Sequence, residues 1–193
     1  MVWKGHYLGT KPADVMMHVP VDEHLARAND KVRIFGSYHR ESLAVARDPA
    51  RITKPIAGSA AVALEIFTRE KIGVETATLS DSFLLAVLNG RLRSNIVHYK
   101  SVAAAAKGLS NGEVTAVLAP RAELEAALAG QTRLPVEAAN LAELKVGGWP
   151  IGMAVKVEEM ALADTLTAAL ADLKREGVVA DIFRKHGVTY QAA

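Results

Sequence analysis

Ile96-Val97-His98-Tyr99, then Ser101 ahead of Val102-Ala103-Ala104-Ala105-Ala106, then Asn111-Gly112, then Glu113-Val114-Thr115-Ala116-Val117-Leu118-Ala119, is the stretch that decides the fold. The first run, β-branched and aromatic, reads as a strand. Ser101 reads as a helix cap, the alanines as helix interior, and Asn-Gly as the stop. The run from Glu113 to Ala119 is the next strand. A strand, a short helix and a second strand make a βα unit, and such units build largely parallel sheets.

The same grammar extends in both directions. Arg121 to Leu128 continues as a helix ended by Gly130. Upstream, Ser80 or Asp81 caps a helix through Leu84, Val87 and Leu88 that stops at Asn89-Gly90. Before it, Ile52 to Ala57 reads as a strand, Gly58-Ser59 as a turn, and Ala60 to Arg69 as a helix stopped by Gly73. The opening is strand-rich: Asp14 to Val19 closed by Pro20, Lys31 to Phe35, and Ser42 to Ala46, the last two separated by Gly36-Ser37-Tyr38. The end is helical. Gly147-Gly148-Trp149-Pro150 leads into a strand from Ile151 to Val157. Leu162, Leu166, Leu170 and Leu173 then line one helix face, Gly177 ends it, and Val178, Val179, Ile182 and Phe183 line a short last helix stopped by Gly187.

Composition narrows the function. The 193 residues are 50% hydrophobic and 23% charged, with a formal net charge of +2 and no Cys. That length suits one large domain or two small ones, and a chain this apolar does not stay disordered. The basic residues are scattered, which excludes a polyanion surface and with it nucleic acid as a partner. No apolar run is long enough to span a bilayer, so no direct membrane insertion is expected. Met1 to Gly9 has neither the pattern of a secretory signal nor that of a first helix.

Few motifs carry chemistry. The six His show no metal-ligand spacing, and no nucleophile elbow, P-loop or dinucleotide fingerprint is present. No metal, no cofactor and no catalytic residue is therefore assigned, and the chain reads as a non-enzyme. Within a strand pattern, His18 and His98 read as satisfied side chains, and Tyr38, Tyr99 and Trp149 as packing. Gly58-Ser59-Ala60-Ala61 stands at a strand-to-helix turn, where Ser59 is either a plain cap or, with the first-turn N–H groups, a seat for an anionic or carbonyl group.

In sum of these pieces the chain resembles the type II periplasmic solute-binding proteins, the extracellular family 3 group. Five stretches carry the resemblance in order: Asp14 to Val19; Val32 to Tyr38 with Leu43 to Asp48; Gly58-Ser59; Gly112 to Leu118; and Pro150 to Lys156 with the closing Leu166 to Gly187. The resemblance implies an α/β, two-lobed fold, with residues 1–47 and 148–193 as lobe one and 48–147 as lobe two. It also implies that lobe one lacks its opening strand, helix and strand, which would leave a sheet edge uncovered and the chain prone to self-association. A ligand in the interlobe cleft would meet His18, Pro20, Ser37 and Tyr38 on one side and Gly58, Ser59, Ala60 and Pro120 on the other.

Departures from the family pattern bear on the ligand. Pro120 stands where the family's ammonium-pairing Asp stands, Thr115 replaces an inner Asp, and Arg27 is out of register with the carboxylate-clamping Arg. The expected ligand is a small neutral or anionic molecule, delivered to the membrane subunits of an ABC-type transporter, in the periplasm. Two alternatives on the same scaffold are an accessory protein of a periplasmic quinoprotein alcohol dehydrogenase and a small-acid dehydratase. For the dehydratase, Glu41 and Glu65 are the acidic residues nearest the cleft motifs.

Overall fold

The computed structural model describes Val2 and residues 11–193; the reading of Met1 to Gly9 otherwise lies outside the described residues. The chain divides into two compact units, one of residues 1–41, 148–185 and 190–193, the other of residues 42–147 and 186–189.

The first unit is built on β1 (Met16–Pro20), β2 (Val32–Glu41) and β10 (Trp149–Lys156), with β10 in the middle and antiparallel to both neighbours. A central strand is screened on both edges, which is why Ile151 to Val155 is buried without alternation. The break expected at Gly36-Ser37-Tyr38 is absent, and β2 runs through it as a bulge. Register slips there, since Phe35 faces Met153 while His39 faces Ile151. Two glycines make the slip possible. Gly36 sits at φ +63, and a Cβ on Gly152 would lie 2.4 Å from the Phe35 carbonyl oxygen. Helix α1 (Glu23–Arg27) is capped by Asp22 and lies between β1 and β2 in sequence. Helix α6 (Met160–Arg175) lays Leu162, Leu166 and Leu170 on Phe35, Met153 and Val155, as the leucine spacing predicts. Gly177 follows it at φ +78, and α7 (Val178–Lys185) completes the unit.

The second unit holds a five-stranded sheet in the order β6-β5-β7-β3-β8. Its strands are β3 (Leu43–Arg47), β5 (Ile72–Glu75), β6 (Ile96–Tyr99), β7 (Ala116–Pro120) and β8 (Val136–Ala138). β5 is parallel to β6 and β7, whereas β3 is antiparallel to β7 and β8, so the sheet is mixed and not largely parallel. Residues 42–47, read from sequence as the end of lobe one, belong here. All five residues of β3 are buried, and an apolar strand of that kind is stable only with partners on both edges. Ser101 caps α4 (Val102–Ser110) as expected, its hydroxyl accepting the Ala104 N–H. Helix α4 and α5 (Arg121–Ala127) cover β3 and β7 with Val102, Ala105, Leu109 and Leu124.

Two expectations fail in this unit for local reasons. Between Ile52 and Gly58 only Ala57–Gly58 forms a strand, β4, pairing in parallel with β9 (Asn140–Leu141). The helix expected over residues 60–69 is instead α2 (Ala60–Ala63) followed by a 3-10 turn over Glu65–Thr68. Leu64 and Phe67 are both fully buried, and the tighter turn brings them to one side. Thr78, rather than Ser80 or Asp81, caps α3 (Leu79–Ala86).

Candidate functional site

Two strand-to-helix turns in the second unit compete for the role of ligand seat. The first is the one expected from sequence. Ser59 does stand at the N-terminus of α2, but that helix is only four residues long and the Ser59 side chain makes no capping bond. The Ala60 N–H donates to Glu143 Oε2 at 2.7 Å, and the Ser59 hydroxyl reaches Glu143 Oε1 at 3.4 Å. That hydrogen bonding, led by the Ala60 N–H, lowers the Glu143 pKa from its ordinary value. Glu143 lies just past β9, so its carboxylate staples one side of the β4–β9 pair to the other. The place that Gly58, Ser59 and Ala60 were expected to offer a ligand is held by the chain's own carboxylate.

The second turn went unnoticed in the sequence. β5 runs out at Glu75, and Thr76-Ala77-Thr78 turns directly into α3. The chain goes from β5 through α3 to β6 on one side, then through α4 to β7 on the other side of β5, so strand order reverses at β5. In open α/β sheets such a reversal leaves a crevice beyond the C-terminal strand ends, the usual ligand position. The turn is tightly held. Thr76 gives both its N–H and its hydroxyl to the Tyr99 carbonyl at 3.1 Å, and the Thr78 hydroxyl donates to the Glu75 carbonyl at 2.8 Å. Thr78 Oγ1 also accepts the Asp81 N–H at 3.2 Å. Asp81 returns the bond one residue earlier, its Oδ2 accepting the Ala77 N–H at 2.8 Å, while its Oδ1 lies 2.9 Å from His98 Nε2. Ala77 takes the left-handed backbone conformation at φ 62. The helix ladder itself supplies no acceptor for the Leu79 and Ser80 N–H groups at the start of α3, which follow exposed Thr76 and Ala77 in the chain.

A glycine would have marked this turn, and its absence is why sequence reading passed over it. The left-handed residue is an alanine, held there by Asp81 where glycine would need no holding.

The other expected residues fall in different places. In the first unit, Tyr38 accepts the His18 N–H at 3.1 Å, and burial raises the pKa of its phenol. Tyr38 lines an apolar cavity of about 290 Å³ with Met17, Leu170, Ile182 and Phe183. His18 and Pro20 line another, of about 270 Å³, on which Val2 packs. The Ser37 carbonyl accepts Lys174 Nζ at 3.2 Å. Arg27, on α1, pairs with Glu23. In the second unit, Pro120 ends β7 and precedes α5, bringing no charge to that strand end. Glu65 pairs with Arg91 at 2.9 Å, and Glu41 is buried. No group of three or more His, Asp or Glu that suits a metal ion occurs among the described residues. Nor is any helix among them long and apolar enough to cross a membrane.

No family model matches the chain, and no curated protein matches it. Solved structures do. An ancestral cationic amino acid solute-binding protein superposes with a TM-score of 0.68 at 15% identity, over 90% of this chain and 69% of its own. The fold is that of the type II periplasmic binding proteins. An amino acid ABC transporter substrate-binding protein from Streptococcus pneumoniae, bound to L-arginine, gives 0.64 at 14% identity over 94% of this chain and 70% of its own. A solute receptor for L-cysteine from Neisseria gonorrhoeae gives 0.62 at 18% identity, and this chain spans 63% of its length. Likeness at this identity carries the periplasmic-binding-protein fold and no more.

Proposed function

We propose that the chain is an extracytoplasmic solute-binding protein that takes a small molecule, amino acids included, for the membrane subunits of an ABC-type transporter. The observation that carries the reading is the capped N-terminus of α3, presented at the point where strand order reverses in a fold shared with solute-binding proteins. A carboxylate of the solute accepts the free N–H groups there and gains from the helix dipole. Pro120, which ends β7 in the same unit as α3, belongs to the finer part of the proposal.

The charge of the solute is also part of that finer reading. Pro120 closes β7 without a carboxylate, so a buried ammonium would find no partner from that strand, and this favours a neutral or anionic solute. The solved structures described as binding arginine or cationic amino acids favour the opposite. The accessory role beside a quinoprotein dehydrogenase and the dehydratase reading find no support in these structures, and Glu65 is engaged with Arg91.

Calorimetry with L-arginine, L-glutamine and succinate tests the reading. Binding of any of them at micromolar Kd, abolished by Thr78→Pro, supports a solute seat at α3. Succinate alone supports the anionic reading, and arginine alone overturns it. If none of the three raises the melting temperature at millimolar concentration, the solute-binding proposal for this class of ligand fails, because a native-state ligand stabilises by RT ln(1 + [L]/Kd).

A further inference from the structure

We propose that His98 is a positioning residue for the α3 seat: through the Asp81 carboxylate it holds the left-handed turn at Ala77 that aims the first-turn N–H groups. This rests on the solute-binding reading above and deepens it.

Three observations meet here. First, Ala77 stands at φ 62, a conformation that costs an L-residue about 1 kcal/mol and that only a specific restraint keeps populated. Second, the restraint is visible. Asp81 has a side chain only 8% exposed and divides its oxygens, one accepting the Ala77 N–H at 2.8 Å and the other meeting His98 Nε2 at 2.9 Å. Third, His98 comes from the adjacent strand β6, directly opposite Val74 of β5, so its position is set by the sheet and not by the turn.

The consequence is a chain of dependence. A carboxylate with one buried oxygen unpaired rotates toward whatever donor remains, and a single bond to Ala77 leaves its plane free to turn. With His98 on the second oxygen, the carboxylate plane is fixed, and with it the direction of the Ala77 N–H. The 39% exposure of the imidazole leaves one side of the ring in solvent while its Nε2 stays committed to Asp81. His98 touches no solute in this scheme. It acts only through Asp81, as an outer partner orients a first ligand.

The tautomer gives the first test, on the native chain. An ionised Asp81 can only accept, so nitrogen-edited NMR must find the proton on His98 Nε2 at neutral pH. A ring whose only proton sits on Nδ1 overturns the proposal. The second test compares His98→Ala and His98→Gln by amide exchange. His98→Ala is expected to speed exchange of the Ala77 amide at least about tenfold relative to the β7 amides, and Gln, whose Nε2 also donates, to return it most of the way. Equal exchange in wild type and both variants overturns it. Should His98→Ala unfold, the same comparison of Gln against wild type stands, with loss of Ala77 protection in Gln counting against the proposal. Titration with L-arginine and succinate separates this from the function. A weakened Kd in Ala and a restored one in Gln, with unchanged melting temperature in Gln, supports positioning. Absence of any binding in wild type removes the solute reading while the exchange result still decides whether His98 holds the turn.

Discussion

Ala77 is a residue that a better-placed glycine would relieve. Ala77→Gly removes the left-handed cost while loosening the unfolded chain, for a net stabilisation of about 0.5 kcal/mol, or a rise of about 1–2 °C in melting temperature. Calorimetric melting checks it, and a fall would mean that Asp81 does not carry the turn. Arg47 is the opposite case. Its side chain is 8% exposed, makes two bonds of 2.9 Å to Glu137 and donates to the Ile52 carbonyl at 2.7 Å. Arg47→Met leaves a carboxylate and a buried carbonyl without a donor, for a loss of about 2–3 kcal/mol in urea unfolding. Glu143 sets a pH dependence. Its folded pKa is depressed, so the staple to Ala60 is present above the ordinary carboxylate pKa and lost as pH falls through the lower folded value. The Ala60 amide resonance is expected to move only below the ordinary carboxylate range, and an inflection at or above that range contradicts the staple.

At the scale of elements, the bulge in β2 governs the first unit's sheet. A Cβ at position 152 meets a backbone carbonyl at 2.4 Å, which cannot swing aside, so Gly152→Ala is expected to cost about 2–4 kcal/mol by denaturant unfolding. Gly108→Ala makes a useful contrast. There the close neighbour is the Tyr99 hydroxyl at 2.2 Å, the far end of a side chain that donates to Glu113, so the ring moves and the cost is smaller. A larger loss at 108 than at 152 would refute this ordering. Elements were legible where the local signal and the tertiary demand agree. Ser101, Gly177 and, on α6, Leu162, Leu166 and Leu170 acted as their positions foretold, whereas Leu173, expected on the same face, is exposed near the end of the helix. Gly36 misled, because one glycine at positive φ serves a turn and a bulge equally, and only the partner strand chooses between them. Residues 60–69 misled because burying Leu64 and Phe67 together outweighs continuing the helix.

For the molecule as a whole, β1 is an edge strand among the described residues, with Met16 and Met17 about half exposed and Ile182 exposed on α7. Apolar side chains on an open sheet edge favour association, so light scattering is expected to show mass rising with concentration, and less so for Met17→Lys. A concentration-independent monomer would show that the His18 bulge and Pro20 blunt this edge by themselves. The amino-acid order alone determined the α/β class and the βα unit from Ile96 to Ala119, because periodicity, caps and stops are local and survive without partners. What the tertiary structure alone decided was the membership of β3 and the make-up of the turn before α3. β3 is an apolar strand whose identity depends on which neighbours bury it, and nothing within Leu43–Arg47 names them. The α3 turn is made by a carboxylate four residues ahead and an imidazole on another strand, contacts that no spacing announces. At Gly58-Ser59 the local signal was legible, whereas the partner of the Ala60 N–H, Glu143 at a distance of 83 residues, was not.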